Sequence, residues 1–369
     1  MPAAIGVAIE YEALPGRVRF GAGAISAVPE ETNRLGARRV VVISGLLDPS
    51  LAEGVARALG ARHAATLTVA RQHVPEELAE QAGRTATDAA ADCLLSIGGG
   101  SSLGVAKAVA MRTGLPIVAV PTTYAGSEMT PIWGMTADGH KTTGRDLSVL
   151  PAIVLYDPEL TVTLPPSATG ASGMNAVAHC VEALWTERRN PVTDAIATEA
   201  IGLLAAGLRA CVRNPTDIEA RDTALRGAWL AGTALAVGGT GLHHKICHVL
   251  GGTFDLPHAD VHAAVLPWVV ECFRYAVPDA LGRVARALEA DDAVTGLQQL
   301  AVDVGATRGL AELGLDEAGA DVAAETIARS APARPMAVSG DEVRTILERA
   351  LGGPRPTQLL RQPEGEGHG

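Results

Sequence analysis

Over its first 160 residues the chain alternates short apolar runs with amphipathic stretches. Arg39-Val40-Val41-Val42-Ile43-Ser44 reads as a buried strand closed by Gly45, and Ala64 to Val69 reads as a second. Between them Asp48 to Leu59 predicts a helix opened by an Asp cap and Pro49. Pro75 to Ala91 predicts another, with Glu76, Glu77 and Glu80 near its start, where carboxylates suit the helix dipole. Cys93 to Ile97 is a third strand, running into Gly98-Gly99-Gly100-Ser101 and a helix over Leu103 to Arg112. Pro116 to Val120 is a fourth strand. Trp133 to Thr143 predicts a hairpin turned at Asp138-Gly139, and Ile153 to Tyr156 is one more strand. Strands and helices that alternate at this spacing make a parallel sheet covered on both faces.

After Asp157-Pro158 the texture changes. From Ser167 to Leu351, Ala- and Leu-rich stretches of helical period dominate, broken into loops at Ala236–Gly241 and Gly251–His258. From Gly352 onward the chain is Gly, Pro and polar. The expected organisation is an α/β N-terminal dinucleotide-binding domain over 1–160, an all-α C-terminal domain over 161–352 and a tail over 353–369. No internal repeat is visible.

Composition narrows the function. The 369 residues are 47% hydrophobic and 19% charged, which excludes general disorder and suits two domains. The net charge of −11 and the lack of any Lys/Arg-rich run exclude a nucleic-acid partner. An anionic substrate must then be held by a few placed cations. The N-terminal stretch has no basic start and meets Glu10 early, so it does not read as a secretory signal. No unbroken apolar run reaches the roughly 18 residues of a membrane span. Five scattered cysteines without a CxxC suit the reducing cytoplasm. Only three of the 30 basic residues are lysine, at 107, 141 and 245. In a chain that otherwise uses arginine, those three are candidates for positions that need a compact ammonium.

Three stretches carry chemistry. Gly98-Gly99-Gly100-Ser101, between a strand and a helix, lets a phosphate reach backbone N–H groups at a helix start. It is not the GxGxxG fingerprint, and it follows the third expected strand, so a standard Rossmann arrangement is disfavoured. Pro121-Thr122-Thr123-Tyr124-Ala125-Gly126-Ser127-Glu128-Met129-Thr130 follows the fourth, where hydroxyls border a ligand crevice. The third stretch is the sharpest: five of the ten histidines fall between 243 and 262, at His243, His244, His248, His258 and His262. His244 and His248 share a helix face, and His179 follows Asn175 at the same spacing. Metal binding, proton transfer and oxyanion stabilisation all fit such a cluster. Lys245 lies inside it and suits a substrate carboxylate; Lys141 could face cofactor or substrate. Lys107, on the helix after the glycines, reads as surface or as a charge on the phosphate side.

These stretches, with Gly173-Met174-Asn175-Ala176 to His179 and Pro257-His258, resemble the iron-containing alcohol dehydrogenase family over about residues 10–350. Within it the sequence looks most like the maleylacetate reductases, marked by Thr123 to Pro131 and by Leu242 to His258. The resemblance implies a dehydroquinate synthase-like architecture with the active site between an NAD(P)-binding domain and a helical domain. It also implies reduction of the carbon–carbon double bond of maleylacetate, a small dicarboxylate, to 3-oxoadipate in aromatic-compound degradation. Family members hold Fe²⁺ or Zn²⁺ with one Asp and three His. Here Asn175 stands at the aspartate position, and His179, His244 and His258 stand at the histidine positions. Gly104 replaces another family aspartate. A neutral amide is a poorer ligand, so the expectation is an enzyme that requires no metal, with Zn or Fe bound only if Asn175 is tolerated.

The expected catalytic residues are His243 and His244 as acid and oxyanion donors, with Lys245, His258, His179 and His248. Asn175, Lys245, Thr123 and Tyr124 are expected to bind substrate. Ser44, Gly98, Gly99, Gly100, Ser101, Ser102, Thr122, Thr123, Ser127, Thr130 and Lys141 are expected to bind NADH, with NADPH also accepted. The expected assembly is a homodimer in the cytoplasm, with no nucleic acid and no membrane. The competing readings are a metal-dependent alcohol dehydrogenase, a sugar-phosphate cyclising lyase and a non-catalytic NAD-binding protein.

Overall fold

A computed structural model of the chain describes residues 9, 11–14, 16–46, 48–69, 76–137, 140–329, 331 and 335–354. Val40 to Ile43 are buried on both sides, and their alternation sorts them between two cores. Val41 and Ile43 join a core that continues into the C-terminal helices, while Val40 and Val42 join a smaller one on the opposite face. That is the pattern of a strand inside a doubly covered sheet.

In chain order the elements of the first half are β1 (Arg17–Phe20), α1 (Val28–Arg34), β2 (Val40–Ser44), α2 (Ser50–Leu59) and β3 (His63–Thr68). Then come α3 (Glu76–Asp88), β4 (Cys93–Gly98), α4 (Gly100–Thr113), β5 (Ile117–Pro121), β6 (Ile132–Ala137), β7 (His140–Arg145) and β8 (Ile153–Tyr156). Six strands form one parallel sheet in the order β1-β8-β5-β4-β2-β3. β6 and β7 pair separately as an antiparallel hairpin, with Ala137 opposite His140. The expected turn residues, Asp138 and Gly139, lie outside the described residues.

The second half is helical among the described residues. It holds α5 (Pro166–Ala183), α6 (Pro191–Arg213), α7 (Ile218–Gly238), α8 (Leu242–Phe254) and α9 (His258–Cys272). α10 (Pro278–Ala287), α11 (Ala293–Asp303), α12 (Glu317–Ala328) and α13 (Gly340–Leu351) complete it. Local chemistry sets the ends. Asn190 accepts from Val192 N and Thr193 N ahead of α6, Asp217 does the same for α7, and Ser339 and Glu342 close a capping box on α13. α6 has the length and apolarity of a membrane span, which the sequence reading did not expect, but it packs against α5 and α7 in the core. α5 is buried along nearly its whole length, from Thr169 to Ala183. A helix enclosed on all sides is the rigid base from which polar side chains can be aimed.

Three expectations change. β1 and α1 were not anticipated, because Arg17-Val18-Arg19-Phe20 is short, charged and partly exposed, and only its pairing with β8 makes it a strand. The glycine stretch therefore follows the fourth strand of the chain. Gly251 to Phe254 are helical rather than a loop: Gly251 is buried, and α8 stops only at Asp255, whose φ of 53° is left-handed.

Candidate active site

Chain order in the sheet reverses between β2 and β4: β2 leads outward to β3, and β4 leads the other way to β5 and β8. Ligands of open α/β sheets sit at the strand ends of such a switch point. Here those ends are glycine. Gly45 N donates to Ile97 O at 2.8 Å, and Gly98 holds a φ of +138°. A Cβ on Gly98 would lie 2.7 Å from Ser102 Oγ and 3.2 Å from Gly45 Cα, so no larger residue fits. α4 starts at once, with no acidic residue in its first turn. Its first N–H groups have no intrahelical partner and attract an anion such as a phosphate. Ser44, Gly98, Gly99, Gly100, Ser101, Thr122 and Thr123 meet here, with Thr122 N donating to Gly98 O at 3.1 Å and Thr123 packed against Gly99.

Other residues expected at the cofactor face elsewhere. Ser102 is buried and donates its hydroxyl to Gly99 O at 3.0 Å. Ser127 and Thr130 turn their oxygens to the Lys107 ammonium. Lys107 is itself enclosed rather than at the surface. Lys141 lies on β7, and its side chain is outside the described residues. Tyr124, expected at the substrate, is fully buried. Its hydroxyl accepts from Arg221 Nη1 at 3.1 Å, and burial pushes it up to about 12, so it fixes the loop from behind.

The second half of the site is an imidazole cluster built by three helices. α5 supplies Asn175 and His179, α8 supplies His243, His244 and His248, and α9 supplies His258 and His262. Ring centroids lie 4.9 Å apart for His179–His244, 4.7 Å for His243–His262, 4.9 Å for His244–His262 and 4.5 Å for His258–His262. His248 stacks on His258 at 6.2 Å. The sequence spacing thus brings all the expected histidines together, with His262 at the centre. Lys245 is half-buried on the same turn of α8. Burial pushes His243 down to about 3, and holds His179 and His262 well below the usual histidine range, so these rings stay neutral.

Glu182, which sequence reasoning missed, organises the cluster. It sits on α5 three residues after His179 and is fully buried. Its carboxylate accepts from Gly241 N at 2.8 Å and His243 N at 2.7 Å, capping α8 from inside, and from His244 Nδ1 at 2.5 Å. Despite its burial, those donors hold it down to about 2, so it is ionised. The row continues: His244 Nε2 meets His179 Nδ1 at 2.8 Å, and His179 Nε2 donates to Ala125 O at 3.1 Å. The protons of this row are set by the tautomers of His244 and His179, with Glu182 Oε2 and Ala125 O as the acceptors at its two ends. Ala125 can reach His179 because Gly126, at a φ of +76°, packs directly on Gly232 of α7.

A metal must also be considered. His179 Nδ1 and His244 Nε2 are bonded to each other, so two of the expected ligand positions face one another. A second set also converges: the ligand atoms of His243, Cys247 and His262, all buried, lie within 4.8 Å of one another, and His243 Nε2 meets His262 Nδ1 at the same 2.8 Å. Asn175 Oδ1, His243 Nδ1 and His262 Nε2 are buried without a hydrogen-bond partner. Neutral imidazoles beside a thiol and unsatisfied lone pairs suit a borderline divalent metal.

Comparison with known proteins agrees with this architecture. Residues 15–158 match the iron-containing alcohol dehydrogenase model, and residues 169–351 match the C-terminal model of the same family. Maleylacetate reductase 2 of Cupriavidus pinatubonensis is 48% identical over 345 residues, covering 93% of this chain and 96% of its own. Maleylacetate reductase of Sphingobium indicum is 45% identical over 346 residues, covering 94% and 98%. The crystal structure of maleylacetate reductase from a Rhizobium species superposes with a TM-score of 0.90 at 42% identity, covering 95% of this chain and 99% of that one. The expectation that no metal is required is corrected by these matches: the family is iron-containing, and the chain carries a converging donor set.

Proposed function

The chain belongs to the iron-containing alcohol dehydrogenase family, and from that premise we propose that it reduces the carbon–carbon double bond of maleylacetate to 3-oxoadipate, with NAD(P)H as hydride donor. The observation that carries this reading is near-full-length relatedness to maleylacetate reductases, joined to a site with a glycine-lined anion crevice and a hydrogen-bonded imidazole row.

The reaction needs one hydride and one proton. Hydride from the nicotinamide adds to the carbon β to the ketone, and electron density moves through the double bond onto the ketone oxygen. The enolate is then protonated at the α carbon. Donors aimed at the developing oxyanion lower the barrier. His243 and His244 are the proposed oxyanion donor and acid. Glu182 fixes the His244 ring through Nδ1, and the row from Glu182 through His244 to His179 is proposed to relay the proton. His258 and His248 line the same cleft, and Lys245 and Asn175 are proposed to bind the substrate carboxylates. His243, Cys247 and His262 would hold a divalent metal, which supplies Lewis-acid polarisation of a carbonyl oxygen when bound.

NADH is the expected donor, with NADPH accepted. A role in aromatic-compound catabolism, a homodimeric assembly and a cytoplasmic location complete the reading. The location is supported by five cysteines, none of them in a disulfide and four of them buried. The test is NADH oxidation followed at 340 nm with freshly generated maleylacetate, beside a panel of simple alcohols and aldehydes. Turnover of maleylacetate with stoichiometric 3-oxoadipate is the expected result. Turnover of the alcohols alone would replace this function with an alcohol dehydrogenase activity.

A further inference from the structure

Lys107 is one of only three lysines in the chain, and it is 1% exposed on α4, inside a helix whose neighbouring positions are Val, Ala and Gly. Its ammonium meets five oxygens: Ser127 O at 2.7 Å, Ser127 Oγ at 3.1 Å, Thr130 O at 2.8 Å, Thr130 Oγ1 at 3.2 Å and Ile132 O at 2.7 Å. All five come from one segment, the turn after β5 and the first residue of β6. No carboxylate forms an ion pair with it among the described residues. The nearby Glu128 is buried, is pushed upward by that burial, and is bonded to Tyr156 Oη at 2.7 Å.

A buried cation without a counter-ion needs oriented dipoles around it. Carbonyl oxygens that converge in this way are how proteins replace the hydration shell of a large monovalent ion. Burial pushes the amine down to about 7, but three carbonyl acceptors are satisfied only by the three N–H donors of an ammonium.

We propose that the five-oxygen cage around Lys107 Nζ is a monovalent-cation site occupied by a tethered ammonium, and that Lys107 is a positioning residue for the reaction. The cage closes the segment that runs from Thr122 and Thr123 at the glycine crevice, through Ala125 O on His179, to the β6–β7 hairpin. One cation thus sets the spacing between the cofactor crevice and the imidazole row. Its loss would move the row relative to the crevice without removing any group that touches either ligand.

The role in catalysis rests on the proposed reductase activity; the cage itself does not. The experiment is Lys107→Ala, measured in sodium, lithium, potassium and ammonium chloride at equal ionic strength. In sodium or lithium, kcat for maleylacetate is expected to fall about a hundredfold, with KM for NADH changed less than threefold. Potassium or ammonium is expected to restore at least tenfold and to raise Tm, which sodium does not. A variant that keeps kcat within threefold in sodium would overturn the positioning role. A folded variant whose Tm and kcat ignore the choice of cation would overturn the cage. If Lys107→Ala does not fold in sodium, recovery of folded protein in ammonium supports the proposal, and failure in both salts overturns it. Should the wild type not turn over maleylacetate, the ion-specific Tm still decides the cage on its own.

Discussion

The glycine crevice and the imidazole cluster are linked through the loop from Thr122 to Ala125 and are built on opposite principles. The crevice is made of main chain: Gly45, Gly98 and the open N–H groups of α4 leave room for a ligand by having no side chains. The cluster is made of side chains from α5, α8 and α9, and burial holds His179, His243 and His262 neutral within it. A main-chain site tolerates little change in shape and is indifferent to protonation. A side-chain site tolerates modest changes in shape and depends on how many protons it holds. The difference teaches which kind of perturbation each half will feel.

The sharpest way to separate the halves is His244→Ala. It removes the middle of the proton row and leaves the crevice alone, so kcat/KM is expected to fall by about 10²–10³-fold. NADH affinity, read by fluorescence titration, is expected to stay within twofold. A matching loss of NADH affinity would mean that the two halves are one site. The reciprocal change is Gly98→Ala, which puts a Cβ against Gly45 at a φ of +138°. Here NADH Kd is expected to rise by roughly tenfold or more, ~1.4 kcal/mol, while single-turnover hydride transfer at saturating NADH changes less.

Glu182→Gln keeps the cap on α8 but removes the negative charge that meets His244 Nδ1. A fall in kcat of several-fold to tenfold is expected, with both KM values nearly constant. The same variant has a signature in stability. The Glu182 carboxyl is held at about 2 in the folded chain, below its ordinary 4.5, so its stabilisation is complete above about pH 4.5 and is lost as pH falls toward 2. Thermal melts at pH 6 and pH 3 should therefore converge for Glu182→Gln more than for the wild type. A parallel pH slope in the two proteins would remove Glu182 from the acid response. The smallest effect is expected from Lys245→Met: a few-fold rise in KM for the dicarboxylate with kcat little changed, since a half-exposed cation contributes modestly. An unchanged KM would return Lys245 to the solvent.

Much of this was legible in the chain, and the failures have physical reasons. Buried parallel strands announce themselves as runs such as Val40 to Ile43, and the crevice shows as consecutive glycines after Ile97. β1 gave no such signal, because a short strand of alternating arginine depends on its neighbour β8 for its identity. Histidines clustered at helical spacing pointed to the second half of the site. Their orientation did not follow from spacing, and His179 and His244 proved to bond to each other. Glu182 is the instructive miss, and Lys107 reads in the sequence as a position needing a compact ammonium, but at the surface or the phosphate side rather than inside. Each is a lone charge in an otherwise apolar helical stretch, Cys180-Val181-Glu182-Ala183-Leu184 and Val105-Ala106-Lys107-Ala108-Val109. Such a charge is affordable only if the fold supplies donors or acceptors to meet it, so its presence is itself a clue. Tyr124 erred the other way: an aromatic in a motif loop looked like a ligand contact and is a core residue tied to Arg221.

The enclosure of Lys107 also changes how the protein meets reagents. A chain with three lysines, one sealed inside, offers acylating probes almost no choice of side chain, and half-buried Lys245 stands in the very segment that carries the histidines. Random amine coupling to a bead or dye would here concentrate on Lys141 and Lys245, the second of them in the segment that carries the histidines.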